Sequence, residues 1–266
     1  MSTALVTGAS AGLGVEFAGQ LAARGHDVVL VARSRARLEE VAERIRREHR
    51  VRAEVVVQDL AAPDAVPNVV AALAERAITV HTLVNNAGFG TAGRFEEIAD
   101  GRDRDQLMVN VVSLVALTRA LVPQVLAERG AIVNVASTAG FQPTPYFATY
   151  SAGKAFVLNF SLALRAELKG RAKVLCVCPG PVETNFFDTV EVGRSAAIGG
   201  RFTTPEAVVK ASLAALDRDR GYLVPGLLNG LNAHLTPRRP RKMVAAIAER
   251  ITRTALGDAL TGTVTR

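Results

Sequence analysis

The stretch Thr3-Ala4-Leu5-Val6-Thr7-Gly8-Ala9-Ser10-Ala11-Gly12-Leu13-Gly14 decides the reading of the fold. Thr3–Thr7 is a short apolar run fit for a buried strand, and residues 13–24 carry the apolar spacing of a helix. Between them stand Gly8, Gly12 and Gly14, with Ser10 inside the loop. A strand, a glycine turn and a helix in that order aim backbone N–H groups and the positive end of a helix dipole at phosphate. Glycine lets the chain turn tightly and lets a pyrophosphate come close with no Cβ in the way. The spacing is G-x-x-x-G-x-G rather than the commoner G-x-G-x-x-G, and alone it fits a structural turn equally well.

Working outward, the same unit recurs. Apolar strand-like runs at Asp27–Ala32, 51–58, 81–84, 130–135, 172–177 and 222–224 alternate with helical spacing at 34–49, 64–76, 103–128, the stretch from Tyr150 to about 170, Pro205–Asp217 and 241–254. This alternation predicts an α/β chain: a single Rossmann-type, doubly wound parallel sheet of about seven strands with helices on both faces. One domain is expected over 1–266. Within it, 185–204, with Phe186, Phe187, Gly199 and Gly200, read as a lid over substrate, and 225–266 as a C-terminal extension.

Ligands of such sheets collect beyond the carboxyl ends of the strands, and the chemistry-bearing residues fall there. At the end of the second run, where a carboxylate would bond an adenosine 2′-hydroxyl, stand Ala32 and then Arg33. Arginine accepts a 2′-phosphate in a charge-assisted pair, so NADP(H) is expected over NAD(H). Asp59 and Leu60 close the third run, in reach of the adenine edge. Asn85, Asn86, Ala87 and Gly88 close the fourth, small enough for a flat ligand and polar enough to tie neighbouring strands. Ser137 follows the fifth, and Pro179, Gly180, Val182 and Thr184 follow the sixth. Tyr150 and Lys154 lie four apart, on one face of a helix about a turn from each other. An ammonium fixed beside a phenol favours the phenolate and lowers its pKa, which makes the pair a plausible acid/base device.

Taken together, Thr7 to Gly14, Asp59, Asn85-Asn86-Ala87-Gly88, Asn110, Ser137, Tyr150, Lys154 and Pro179-Gly180 resemble the short-chain dehydrogenase/reductase family over essentially the whole chain. Ser137 precedes Tyr150 by 13 residues, a spacing familiar from that family. The resemblance implies four catalytic residues, Asn110, Ser137, Tyr150 and Lys154. Tyr150 would exchange a proton with a carbonyl or alcohol oxygen, and Ser137 would polarise the same oxygen. Lys154 would hold the nicotinamide ribose and lower the tyrosine pKa, and Asn110 would anchor a water behind the lysine. The cofactor would rest on Gly8, Ser10, Gly12, Leu13, Gly14, Arg33, Asp59, Leu60, Asn86, Ala87, Gly88, Tyr150, Lys154, Pro179, Gly180, Val182 and Thr184. Family members also pair through the helices holding Asn110 and Tyr150, so a homodimer or homotetramer is expected, with Gly153 at the subunit contact.

Phe89, Phe141, Tyr146, Phe147, Phe186 and Phe187 near the expected pocket, with few charges, favour an apolar ketone, aldehyde or secondary alcohol. A non-catalytic NADPH-binding sensor or scaffold is the competing reading, since fold does not fix function. The net charge of +7 is concentrated at 44–52 and 238–242. No aromatics interleave those runs, so no nucleic-acid partner is expected, while weak contact of the basic C-terminal segment with a membrane surface stays open. No run reaches the length and apolarity of a membrane span. Cys176 and Cys178 read as small buried hydrophobes of a reducing compartment, and the chain as cytoplasmic, with no metal site.

Overall fold

A computed structural model describes residues 2–184 and 202–257. The strands are β1 (Thr3–Thr7), β2 (Asp27–Ala32), β3 (Ala53–Val57), β4 (Val80–Asn85), β5 (Ala131–Val135), β6 (Lys173–Val177) and β7 (Tyr222–Leu223). They form one sheet in the order β3-β2-β1-β4-β5-β6-β7, every pairing parallel. The helices are α1 (Gly12–Ala23), α2 (Arg35–His49), α3 (Ala65–Glu75), α4 (Arg102–Leu107), α5 (Ser113–Ala127), α6 (Ala148–Glu167), α7 (Pro205–Asp217), α8 (Leu227–Leu235) and α9 (Arg241–Leu256).

Alternation along each strand builds two cores. Ala4 and Val6 point to one face, where Phe17 and Leu21 of α1, Leu38 and Ile45 of α2 and Leu213 of α7 cover them. Leu5 points to the other, under Val69 and Leu73 of α3 and Leu117, Leu121 and Val125 of α5. Such strands, apolar on both faces, suit only a sheet covered on both sides. The connection through α3 brings the chain back from the β3 edge to lay β4 beside β1. The order therefore reverses between β1 and β4, and the loops leaving these two strands diverge and open a crevice.

A polar chain crosses the second core. Asn85 Nδ2 donates to Thr118 Oγ1 at 3.0 Å and to Asn134 Oδ1 at 2.9 Å, and Asn134 Nδ2 donates to Ser161 Oγ at 2.9 Å. It ties α5, β4, β5 and α6 together through the amide nitrogens of Asn85 and Asn134, while the buried Asn85 Oδ1 has no hydrogen-bond partner among the described residues. Cys176 on β6 and Cys178 just beyond its end are buried free thiols, their sulfurs 3.7 Å apart.

The structure departs from the sequence expectation in three places. The segment 103–128 is not one α-helix: a π-turn, Met108–Val112, separates α4 from α5. The continuous helical stretch Arg102–Ala127 has the length and composition of a membrane span, with mean hydropathy 1.6 over its most apolar window. Its inner face nevertheless packs on the sheet as described. Gly153 is buried within the chain, with Val111 of the π-turn 3.5 Å from where its Cβ would stand. The C-terminal extension contains a helix, α8, that periodicity missed, because Asn229, Gly230 and Asn232 interrupt its leucines. Residues 185–201 of the expected lid lie outside the described residues. Thr203 pairs with Val182 and Thr204 caps α7.

Candidate active site

The loops at the carboxyl edge enclose a cavity of about 690 Å³. At its floor, Gly8 and Gly12 adopt φ of +67° and +54°, the left-handed region that side chains disfavour. No side chain caps α1 at Ala11, so its first-turn amides are left to the cavity that Gly12 and Leu13 line. Thr7 Oγ1 accepts from the amides of Asn86 and Ala87, both at 3.0 Å, and Asn86 Nδ2 donates to Thr7 O at 2.9 Å. These bonds lock the glycine loop to the loop after β4. Opposite, Thr184 Cγ2 stands 2.9 Å from where a Cβ on Gly12 would lie, so the loop after β6 closes over the glycines.

At one end the cavity is lined by Arg33, Ser34, Arg37, Gln58 and Asp59. Asp59 is the single carboxylate among the lining residues, and its Oδ1 accepts from Ala61 N at 3.0 Å. Neither Arg33 nor Arg37 forms an ion pair among the described residues. Arg35, the nearer neighbour in sequence, turns to Glu39 instead.

At the other end Tyr150 and Ser137 share a side-chain hydrogen bond. Ser137 Oγ also accepts from Ala139 N at 3.1 Å, which holds it at the start of a single 3-10 turn. Lys154 Nζ lies 5.7 Å from the centre of the Tyr150 ring and donates to Val135 O at 2.9 Å. Burial pushes the Tyr150 phenol up to about 12, with only the Ser137 hydrogen bond pulling the other way. Burial also brings the Lys154 amine down to about 8. The phenol therefore stays protonated at neutral pH, contrary to the lowered pKa the sequence predicted. Enclosure by protein penalises the phenolate more than its neighbours support it.

A loop that presents amides to phosphate, two unpaired cations at one end and a protonated phenol at the other suit a dinucleotide with a charged adenosine end. The model of the family described as short chain dehydrogenase matches residues 2–194. The chain belongs to the short-chain dehydrogenase family. It is 31% identical over 243 residues to very-long-chain 3-oxoacyl-CoA reductase-B of Danio rerio, covering 88% of this chain and 76% of that one. It is 36% identical over 213 residues to sulfoacetaldehyde reductase of Chromohalobacter salexigens, covering 79% and 83%. Among solved structures, a short-chain dehydrogenase from Sphingobium yanoikuyae in complex with NADPH superposes with a TM-score of 0.79 at 32% identity, covering 91% of this chain and 97% of that one.

In this short-chain dehydrogenase the structure gathers Gly8, Ser10, Gly12, Leu13, Arg33, Asp59, Leu60, Asn86, Ala87, Gly88, Ser137, Tyr150, Lys154, Pro179, Gly180, Val182 and Thr184 around the one cavity. Two residues named from sequence stand behind it. A Cβ on Gly14 would come within 2.1 Å of Gly8 O, so Gly14 lets α1 pack against the loop rather than meeting a ligand. Asn110, in the π-turn, donates to Phe89 O at 2.8 Å and accepts from Phe89 N at 3.1 Å. Each end of its amide makes one bond to the backbone after β4, which fixes the side chain there. Sequence reasoning also missed Arg37, four residues after Arg33 on the opening turn of α2. That spacing was the signal for it.

Of the expected aromatic set, Phe89 and Phe147 line the cavity. Phe141 packs on Tyr222 at 6.4 Å, and Tyr146 donates to Glu249 of α9 at 2.9 Å. Phe186 and Phe187 lie outside the described residues.

The state of Lys154 has a measurable consequence. Between pH 8 and 10.5 the unfolded chain holds a proton that the folded chain has released, so this group makes stability climb with pH across that window. A Lys154→Met variant lacks the climb. Its stability relative to the parent is expected to be highest below pH 8 and to decline by on the order of 3 kcal/mol toward pH 10.5. Thermal melts of both proteins across that range check it, and a constant difference would contradict the assignment.

Proposed function

We propose that the protein is an NADP(H)-dependent oxidoreductase that interconverts an apolar ketone or aldehyde and its alcohol. The observation that carries this reading is the meeting of Ser137, Tyr150 and Lys154 at one end of a cavity whose other end holds Arg33 and Arg37. The NADPH bound by the Sphingobium yanoikuyae neighbour supports the cofactor choice. The two reductases named above differ in substrate, one a very long acyl chain and the other a small sulfonate. Phe89, Val109, Ala139 and Phe147 on the cavity wall favour an apolar group.

When bound, the reduced nicotinamide supplies a hydride to the carbonyl carbon. The chain's own residues handle the rest. The first-turn amides of α1 and the glycine loop hold the pyrophosphate, and Arg33 with Arg37 takes the 2′-phosphate. Ser137 donates to the carbonyl oxygen, where negative charge develops, and Tyr150 delivers its proton to that oxygen. A phenol kept neutral by burial is ready as a donor in the reductive direction. Lys154, buried on the inner face of α6, holds the ribose and offsets the phenolate left after proton transfer. Asn110 acts one step back, fixing the loop that carries Phe89.

The apolar residues exposed on the outer faces of the α4–α5 stretch and α6, Leu107, Val112, Phe156 and Leu162, support a homo-oligomer formed through these helices. The free thiols of Cys176 and Cys178 support a reducing, cytoplasmic setting.

A panel of apolar ketones and aldehydes with NADPH, followed at the nicotinamide absorbance, is expected to show steady oxidation with several members. Tight NADPH binding with no turnover on any carbonyl, charged ones included, would instead mark a sensor.

A further inference from the structure

Seven large apolar side chains in the C-terminal part of the chain are exposed. Leu227, Leu228, Leu231 and Leu235 on α8 are exposed, Leu227 by 95%, and Met243, Ile247 and Ile251 on α9 are exposed by 44–46%. The spacing of four along each helix makes each set a stripe. On α9 this outer stripe is distinct from the inner one, Val244, Ala248, Thr252 and Leu256, which is buried. α9 therefore already uses one apolar face for folding and carries a second that folding does not need.

The same segment is strongly basic. Residues 227–257 hold six Arg and Lys, at 238, 239, 241, 242, 250 and 253, against the single carboxylate of Glu249. Glu249 is engaged by Tyr146 at 2.9 Å and by Arg253 at 3.5 Å. Arg238, Arg239, Arg241, Lys242 and Arg250 form no ion pair among the described residues.

Both helices border the substrate end of the cavity. Asn229 of α8 lies against Gly180, where an added Cβ would stand 2.5 Å from Nδ2, and Gly180 lines the cavity. The Tyr146–Glu249 bond ties α9 to the residue just before Phe147, which lines it too.

We propose that α8 and α9 form a docking surface for an anionic lipid bilayer, seating the substrate mouth at the level of the headgroups. Apolar stripes with arginines and a lysine beside them suit an interface where the former enter the acyl boundary and the latter meet phosphate. Charge complementarity selects this occupant. A second copy seated on the same face would set two unpaired cation clusters against each other, a repulsion that an anionic surface turns into attraction. The inference is independent of the substrate class argued above.

The test is co-sedimentation of the full chain with vesicles, read without any enzyme assay. Vesicles of phosphatidylcholine containing about one part in three of phosphatidylglycerol are expected to carry the protein down at low salt. Pure phosphatidylcholine vesicles are expected to bind at least tenfold less, and raised salt should release the protein. The double variant R238E/R239E should lose at least tenfold in binding to the anionic vesicles. L227S/L231S, changed only at exposed positions, should weaken binding while melting as the parent does. Failure to sediment with the anionic vesicles overturns the proposal, and so does binding that neither pair of substitutions changes. A fall in oligomer mass in L227S/L231S, without vesicle binding by the parent, would assign the surface to a second copy. Salt-sensitive capture by an acidic protein in place of vesicles would assign it to a protein partner.

Discussion

Tyr150→Phe is expected to lower kcat for carbonyl reduction by roughly a thousandfold or more, while NADPH binding stays within a few-fold of the parent. The size follows from the loss of a positioned general acid, generally worth about 10² to 10⁴ in rate. It also follows from the surroundings of this phenol. Burial holds it protonated up to about pH 12, so it is a ready donor throughout the working range, and it shares a hydrogen bond with Ser137. Phenylalanine keeps the ring, its edge contact with Phe147 at 6.5 Å and the fill of the cavity wall, so the fold is not at stake. Rapid-mixing turnover and NADPH fluorescence titration separate the two effects. A variant that keeps a tenth of the parental kcat would remove Tyr150 from the proton path.

The second large effect is expected at the opposite end of the cavity. Arg33→Asp should reverse the preference for NADPH over NADH by one to two orders of magnitude in kcat/KM, and Arg37→Ala on top of it should extend the shift. A hydrogen bond to a charged group contributes about 1.5–3 kcal/mol, and solvent reaching these exposed arginines keeps the value toward the low end. The aspartate then repels a 2′-phosphate and can bond a 2′-hydroxyl, so NADH should gain as NADPH loses. Measuring both cofactors at a common carbonyl gives the ratio, and an unchanged ratio would refute the phosphate assignment.

Much of this was legible because each strand hands its chemistry directly to the loop that follows. Gly8 and Gly12 after β1, Arg33 after β2, Asn86 after β4 and Ser137 after β5 needed only the strand ends to be placed, and parallel pairing brought them to one edge. What escaped depended on distances that no local pattern encodes. Gly14 carries the same letter as its neighbours, but Gly8 O sits where its Cβ would be, a contact made only once α1 packs. The tie of Asn110 to Phe89, 21 residues away in sequence, bonds the side chain at both ends to a loop that no local pattern names. The direction of the Tyr150 shift turned on how much protein surrounds it, which a Tyr-x-x-x-Lys spacing does not state. Helix α8 hid because asparagine and glycine dilute its leucines, and it is held by Asn229 lying against Gly180 and His234 bonded to Tyr222 at 2.6 Å rather than by a buried apolar stripe.

The wide turn at Met108–Val112 bears on how this chain can change over generations. Such a turn holds one residue more than the regular helix around it. Removing that residue would swing everything on one side by about 100° relative to the other. Asn110 would leave Phe89, Val109 would leave the cavity wall, and the sheet-facing leucines of α5 would rotate off their strands, all at once. Point substitutions can drift through this helix one at a time, but a deletion here has no viable halfway form. The extra residue is thus expected to persist as a fixed gap position when distant relatives are compared, a lineage marker held by geometry rather than by any single side chain.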